Sequence, residues 1–181
     1  DADKAAFHYK KSGHSGKIPL SASDAAFAGA VDAAQLMANS AKKAGIDIEV
    51  IREPNDGYWS NVWNNDAKGW CACYWGGRPA ETMMFSAAYV AESKWNDTSW
   101  KTTDSAVKFN QLVKDARKEL DENKKRDILF ECQRLIYDDG GLLCPLFNSY
   151  VSANSKKIAH GKIAANWDSD GAKCVERWWF A

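Results

Sequence analysis

A strand–helix–strand pattern in the first third of the 181-residue sequence constrains the fold more than any other feature. Residues 17–22 form a short extended run, and apolar residues then recur at intervals of three and four over residues 27–44, which predicts an amphipathic helix. Gly45 stands where a helix ends, and residues 46–50 alternate between apolar and acidic, which predicts a second strand. Strand, helix and strand with short links form a βαβ unit, which builds a parallel sheet. We therefore expect an α/β protein.

Two local features refine this unit. Pro19 favours an edge strand or an early position within a strand, because proline donates no backbone hydrogen bond. Ser23 or Asp24 offers an N-cap for the helix that follows, since their side-chain oxygens accept backbone N–H groups.

The second half of the chain predicts a helix pair followed by a strand. The first helix is capped by Thr103 or Asp104, and its apolar stripe extends to Leu120. The second begins at Asp121, and its basic run, Lys124 to Arg126, is interpreted as a solvated face. Residues 142–147 predict a buried strand. Residues 149–181 show no long periodic segment and end in three aromatic residues that need cover.

A candidate binding site lies where an aromatic strand gives way to a helix. The run that starts at Trp70 predicts a strand ending at Trp75, with a tight turn at Gly76 and Gly77 and a helix that resumes after Arg78. Ligands of open α/β sheets usually bind beyond the carboxyl ends of the strands. In this reading Trp75 offers an apolar face, the glycines let the solute approach the backbone, and Arg78 offers a fork of donors.

Other readings of these residues stay open. Trp75 also fits a core position under the turn, and Arg78 also fits an ion pair with Glu81 at the helix start. A polar, aromatic-rich loop follows the helix, and its weaker candidates for solute contact are Trp95, Asn96 and Trp100.

Five cysteines bear on metal binding and compartment. Cys71 and Cys73 point to one face of the predicted strand, and we interpret them as core residues because no CxxC motif or histidine cluster accompanies them. Cys132 lies about 12 Å before the turn at residues 140–141, and Cys144 returns about 10 Å beyond it. A helix-to-strand disulfide fits this spacing and would imply an oxidising compartment, and two buried free thiols fit it too.

Several function classes are disfavoured. The 24 basic and 24 acidic residues cancel, so no net field attracts nucleic acid or an anionic membrane. No apolar run approaches the length of a membrane span, and no signal peptide is visible. The sequence opens within a predicted helix, so we expect a piece of a longer protein.

An enzyme would need an assembled acid, base or nucleophile. The three histidines, at positions 8, 14 and 160, have no nucleophile motif near them. A hydrolase would have to rely on Glu81 and Asp104 as a carboxylate pair. A carbohydrate-binding module is the other alternative, because nine tryptophans suit sugar stacking, although such platforms are usually built on β-sandwiches. No metal or other cofactor is expected.

The order of these features resembles the second lobe of the periplasmic oligopeptide and dipeptide binding proteins of ABC importers, known as family 5 extracellular solute-binding proteins. The resemblance rests on AGIDIEV at residues 44–50, Tyr58-Trp59, Trp75-Gly76-Gly77, Trp95-Asn96 with Trp100, Asp121, Lys125-Arg126, Gln133 and CPLF at residues 144–147.

The resemblance implies a periplasmic binding protein type II-like lobe at residues 1–148 and a return segment at residues 149–181, packed on this lobe or on a missing first lobe. It also implies a non-enzymatic periplasmic protein that delivers a small peptide or peptide-like solute to an ABC permease in the inner membrane, without inserting into the membrane itself. The cysteines flanking residues 140–141 look like a disulfide found in some relatives.

One departure concerns the solute. In the peptide binders that the chain resembles, the third residue after the site tryptophan is commonly an Asp that pairs with the α-ammonium group of the ligand. Here that position is Arg78, whose guanidinium suits carboxylate or phosphate. We therefore expect the solute to present an anionic or strongly accepting group to Arg78, or its amine to be held elsewhere.

Overall fold

The computed structural model describes residues 1–181, which divide into two compact units, Asp1–Trp75 and Gly76–Ala181. The elements of the first unit are α1 (Ala2–Ser12), β1 (Ile18–Ala22), α2 (Ala30–Lys42), β2 (Ile48–Arg52), α3 (Tyr58–Asn61), a 3-10 turn (Asp66–Lys68) and β3 (Trp70–Cys71). Those of the second are α4 (Glu81–Ala88), α5 (Asp104–Lys118), α6 (Glu122–Asp139), β4 (Ile158–His160), α7 (Asp168–Ala172), α8 (Cys174–Arg177) and β5 (Trp178–Phe180).

A three-stranded parallel sheet in the order β2-β1-β3 organises the first unit. The register pairs Ile18 with Ile48 on one side of β1, and Leu20 with Trp70 on the other. The βαβ unit and the α/β class are therefore confirmed. Of the two positions expected for Pro19, the edge strand is wrong, because β1 is the central strand, and the early position within the strand is confirmed. The proline stands at its second residue, and β3 pairs only beyond it.

Helix α2 packs against this sheet through alanines. Ala34 and Ala38 lie in one buried cluster with Leu20, Ala22 and Ile48, and their small side chains allow helix and sheet to approach closely. The predicted end of the helix is confirmed by Gly45, whose φ of 71° suits glycine.

The predicted N-cap of α2 is wrong. The helix begins after Gly29, and neither Ser23 nor Asp24 caps it. The buried Ser23 hydroxyl instead donates to the side chain of Asn55 at 2.7 Å and accepts from the backbone of Ala25. This side chain is committed to the loop after β1.

The helix pair of the second unit is confirmed at both N-caps. The side chain of Thr103 accepts the backbone N–H of Ala106, and Asp121 accepts two backbone N–H groups at the start of α6. The apolar face of α5 is buried around Phe109. Leu120, predicted within this stripe, is 91% exposed because α5 ends at Lys118.

The predicted buried strand at residues 142–147 is wrong. The segment has no regular structure, no strand of the chain pairs with it, and Leu146 and Phe147 are exposed. The predicted disulfide is not formed either. Cys132 is buried in α6, whereas the exposed Cys144 lies with its Sγ 3.6 Å from the carbonyl oxygen of Leu146. The return strand on which the bridge depended is missing.

The C-terminal residues form a small antiparallel ribbon in which β5 pairs with β4. Trp178 stacks on His160 with ring centroids 5.1 Å apart, and its Nε1 donates to Asp170 at 3.0 Å. Trp179 and Phe180 remain largely exposed, so only one residue of the aromatic end finds cover in this unit. The division into residues 1–148 and 149–181 stays a prediction. None of the helices combines the length and the apolar character needed to cross a bilayer.

Candidate functional site

The aromatic run that leads to the candidate site is held in place by Tyr58. Strand β3 covers only Trp70–Cys71, so the predicted strand is shorter than expected, and residues 72–75 continue without regular structure. The buried Tyr58 hydroxyl donates to the carbonyl oxygen of Ala72 at 2.7 Å and lies 3.2 Å from that of Ser21. Burial raises the pKa of this phenol far above its ordinary value, so Tyr58 stays neutral.

Trp75 ends a series of aromatic rings within the first unit. It packs edge-on against Trp63 with centroids 6.3 Å apart, Trp63 meets Trp59 at 5.8 Å, and Trp59 meets Tyr74 at 5.7 Å. Trp75 is half-buried. It is therefore supported by its neighbours and still partly accessible, which suits a fixed apolar contact surface.

The second unit begins with Gly76, Gly77 and Arg78. Nη1 of the half-buried Arg78 donates to the carbonyl oxygens of Gly76 at 2.8 Å and Gly77 at 3.2 Å. Arg78 forms no ion pair with Glu81, so the alternative reading of this arginine is not observed. The backbone thus orients the guanidinium while no carboxylate neutralises it, and its remaining N–H groups can serve an acceptor.

The limited room for a side chain explains the glycine at position 76. Neither Gly76 nor Gly77 has a positive φ. A Cβ at Gly76 would lie 3.3 Å from Cη2 of the Trp167 ring and 3.6 Å from Nη1 of Arg78. A Cβ at Gly77 would lie 3.8 Å from the hydroxyl of Tyr150. The bend is therefore flanked by two aromatic residues that sequence reasoning missed, because they belong to the aperiodic C-terminal region.

The three loop candidates occupy different environments. Trp95 is 54% exposed, whereas Asn96 and Trp100 are buried. The Asn96 amide donates to three backbone carbonyls of its own loop and of the end of α4. Trp100 packs on Phe109 at 5.1 Å, and its Nε1 donates to Asp139 at 2.7 Å. Asn96 and Trp100 thus support the second unit, and solute contact by any of the three remains a prediction.

A groove of about 520 Å³ lies between the start of α4 and the first half of α6. Lys125 and Arg126, from the predicted solvated face, line it together with the acidic residues Glu81 and Glu122. Its charges are mixed, so they favour neither an anion nor a cation.

Comparisons with known proteins bear on the fold. No protein-family model and no curated protein sequence matches the chain. Solved structures do match. The ABC transporter-associated periplasmic binding protein DppA from Helicobacter pylori, in complex with the peptide STSA, superposes with a TM-score of 0.61 and 16% identity over 78% of this chain. This chain has part of the fold of an ABC transporter substrate-binding protein.

Two further structures agree. CtaP from Listeria monocytogenes, an ABC transporter substrate-binding protein, gives a TM-score of 0.59 and 15% identity over 77% of this chain. NikA from Staphylococcus aureus, in complex with Ni(L-His)2, gives 0.58 and 19% over 75%. The chain spans only 28% of the DppA and CtaP chains and 30% of NikA. The predicted resemblance and the periplasmic binding protein-like lobe are thereby confirmed at the level of the fold.

Proposed function

We propose that this chain is the second lobe of the extracytoplasmic solute-binding component of an ABC importer, and that its solute is a peptide or peptide-like molecule with an anionic group. The observation that carries the proposal is the fold, which is shared with substrate-binding proteins of ABC transporters. In this proposal the protein is periplasmic, delivers its solute to a permease in the inner membrane, and is not an enzyme. The carbohydrate-binding module is less favoured, because such platforms are usually built on β-sandwiches and this chain has a three-stranded sheet and a two-stranded ribbon.

The anionic group follows from Arg78. Two carbonyl oxygens hold Nη1, so the guanidinium loses little conformational freedom when a solute binds. No acidic side chain competes for it within the chain. A guanidinium in this state matches a carboxylate, which can accept two parallel N–H donors. Arg78 is therefore proposed to hold a carboxylate of the solute.

The other contacts keep the roles that the sequence predicts. In the first unit, Trp75 offers part of its ring to apolar solute atoms. In the second unit, the proposed contacts besides Arg78 are Gly76, Gly77, Trp95, Asn96 and Trp100. Of the loop residues, the exposed Trp95 is the most accessible.

Binding of short peptides to the intact protein tests this function. The protein is incubated with a pool of tripeptides, separated from unbound peptide, and the retained peptides are released and identified by mass spectrometry. We expect retained peptides to be recovered unchanged. Cleaved peptides would support a hydrolase, and a pool from which nothing is retained would contradict the proposed peptide class.

Arg78→Ala tests the role of the guanidinium. We expect the dissociation constant of the tightest retained peptide to rise about 30-fold, the equivalent of about 2 kcal/mol for a hydrogen-bonded charge pair. Arg52→Ala is the matched control, because Arg52 is exposed and forms no ion pair. An Arg78→Ala protein that binds as tightly as the control would rule out the carboxylate contact.

A further inference from the structure

The C-terminal region brings two aromatic side chains to the bend that carries Arg78. We propose that Tyr150 and Trp167 are solute-binding residues, and that together with Arg78 they select a solute whose carboxylate stands next to an apolar or planar group. This inference rests on the proposed function and adds the substrate class of the same site. All three residues belong to the second unit.

The Trp167 ring lies close to Gly76. Its Cη2 and Nη1 of Arg78 both lie within 4 Å of the position that a Cβ at Gly76 would occupy. The indole and the guanidinium therefore both border a point that glycine leaves open. Trp167 is 37% exposed and its indole N–H donates no hydrogen bond within the chain, so part of its ring is available to a ligand. A tryptophan face next to a cationic fork suits a planar or apolar group attached to an anion.

The Tyr150 hydroxyl lies close to Gly77. It would lie 3.8 Å from a Cβ at Gly77, whose carbonyl oxygen accepts from Nη1 of Arg78. This hydroxyl has no hydrogen-bond partner within the chain, and the residue is 52% exposed. A phenolic O–H donates readily to a carboxylate. Tyr150 therefore supplies a neutral donor next to Gly77, the residue whose carbonyl oxygen accepts from Arg78.

The three side chains differ in what they recognise. Arg78 supplies the charge, Tyr150 a directional donor, and Trp167 an apolar surface. No acidic side chain forms an ion pair with Arg78, so an incoming carboxylate has no competing carboxylate to displace. The C-terminal residue of a short peptide has this chemistry when its side chain is apolar or aromatic. A free α-carboxylate and the adjoining side chain then contact different members of the group.

The test compares free and amidated peptides on the intact protein. The tightest tripeptide from the pool and its C-terminal amide are titrated calorimetrically into the unsubstituted protein. They are also titrated into Tyr150→Phe and Trp167→Ala. Tyr137→Phe and Trp179→Ala are the matched controls, because Tyr137 is 87% exposed and Trp179 is 55% exposed. Thermal unfolding of every variant is measured in parallel, and Trp167→Phe replaces Trp167→Ala if the alanine variant does not fold.

We expect Tyr150→Phe to weaken binding of the free peptide about tenfold and binding of its amide less than about twofold, because the lost donor serves the carboxylate. Trp167→Ala should weaken binding of both the free and the amidated peptide about tenfold, because the apolar contact is lost. Both control variants should bind like the unsubstituted protein.

If Arg78→Ala weakens binding while Tyr150→Phe and Trp167→Ala match their controls, the inference is wrong and the proposed function stands. Equal affinity of the unsubstituted protein for free and amidated peptide would also overturn the inference. If the unsubstituted protein binds no tripeptide, the proposed peptide class fails and this inference fails with it.

Discussion

Tyr58→Phe tests how the aromatic run is held against the parallel sheet. The substitution keeps the buried ring and removes only the hydroxyl, which donates to Ala72 at 2.7 Å. The carbonyl oxygen of Ser21 keeps the backbone N–H of Ala72 as a donor at 2.8 Å, whereas the carbonyl oxygen of Ala72 has no other donor in the chain. One half-buried acceptor is thus left without its donor, so we expect the free energy of unfolding to fall by about 1–2 kcal/mol.

The same hydroxyl predicts a dependence on alkaline pH. Burial raises the pKa of Tyr58 in the folded protein above its ordinary value near 10. Above that pH the unfolded phenol ionises while the folded phenol stays protonated, so the unfolded state binds fewer protons. The stability that this group contributes is complete below about pH 10 and is lost as the pH rises further. The loss approaches about 1.4 kcal/mol per pH unit.

Urea unfolding measured at pH 7.5, 10 and 11 checks both the predicted loss of stability and its predicted dependence on alkaline pH. The control is Tyr74→Phe, because Tyr74 is 61% exposed and its hydroxyl forms no hydrogen bond, so a change below about 0.5 kcal/mol is expected. A Tyr58→Phe protein as stable as this control at pH 7.5 would refute the hydrogen-bond argument. If the free energy of unfolding of Tyr58→Phe falls between pH 10 and 11 as steeply as that of the unsubstituted protein, the argument from the burial of Tyr58 is refuted.

Two further predictions concern the second unit. Phe109→Ala should lower the free energy of unfolding by about 3–5 kcal/mol, because the ring is fully buried. The exposed Val107→Ala on the same helix should cost less than about 0.5 kcal/mol in the same urea titration. Hydrogen bonds, first of all from Ser105, hold the pKa of Asp139 below its ordinary value. The resulting stability is present above about pH 4 and lost as the pH falls below it, so acid titration of Asp139→Asn should show a smaller decline.

The elements that could be predicted are those set by local chemistry. The N-caps Thr103 and Asp121 and the left-handed Gly45 mark helix ends through contacts within a few residues. The βαβ unit follows from the periods of its three segments. The strand predicted at residues 142–147 failed, because apolar composition alone does not supply a neighbouring strand to pair with.

The candidate site was predictable only in part. Arg78 could be identified because it directly follows the two glycines after the aromatic run. Tyr150 and Trp167 come from a region without periodicity, and only tertiary structure brings them to Gly77 and Gly76. Trp100 shows the converse problem, since a tryptophan in a polar loop looks the same in sequence whether it packs in a core or faces a ligand.

The most direct test of the account is the mass spectrum of the small molecules that co-purify with the intact protein. We predict a peptide or peptide-like solute that carries a free carboxylate and is lost from the Arg78→Ala protein but retained by Arg52→Ala. A retained solute with no acidic group, held equally well by both variants, would contradict it.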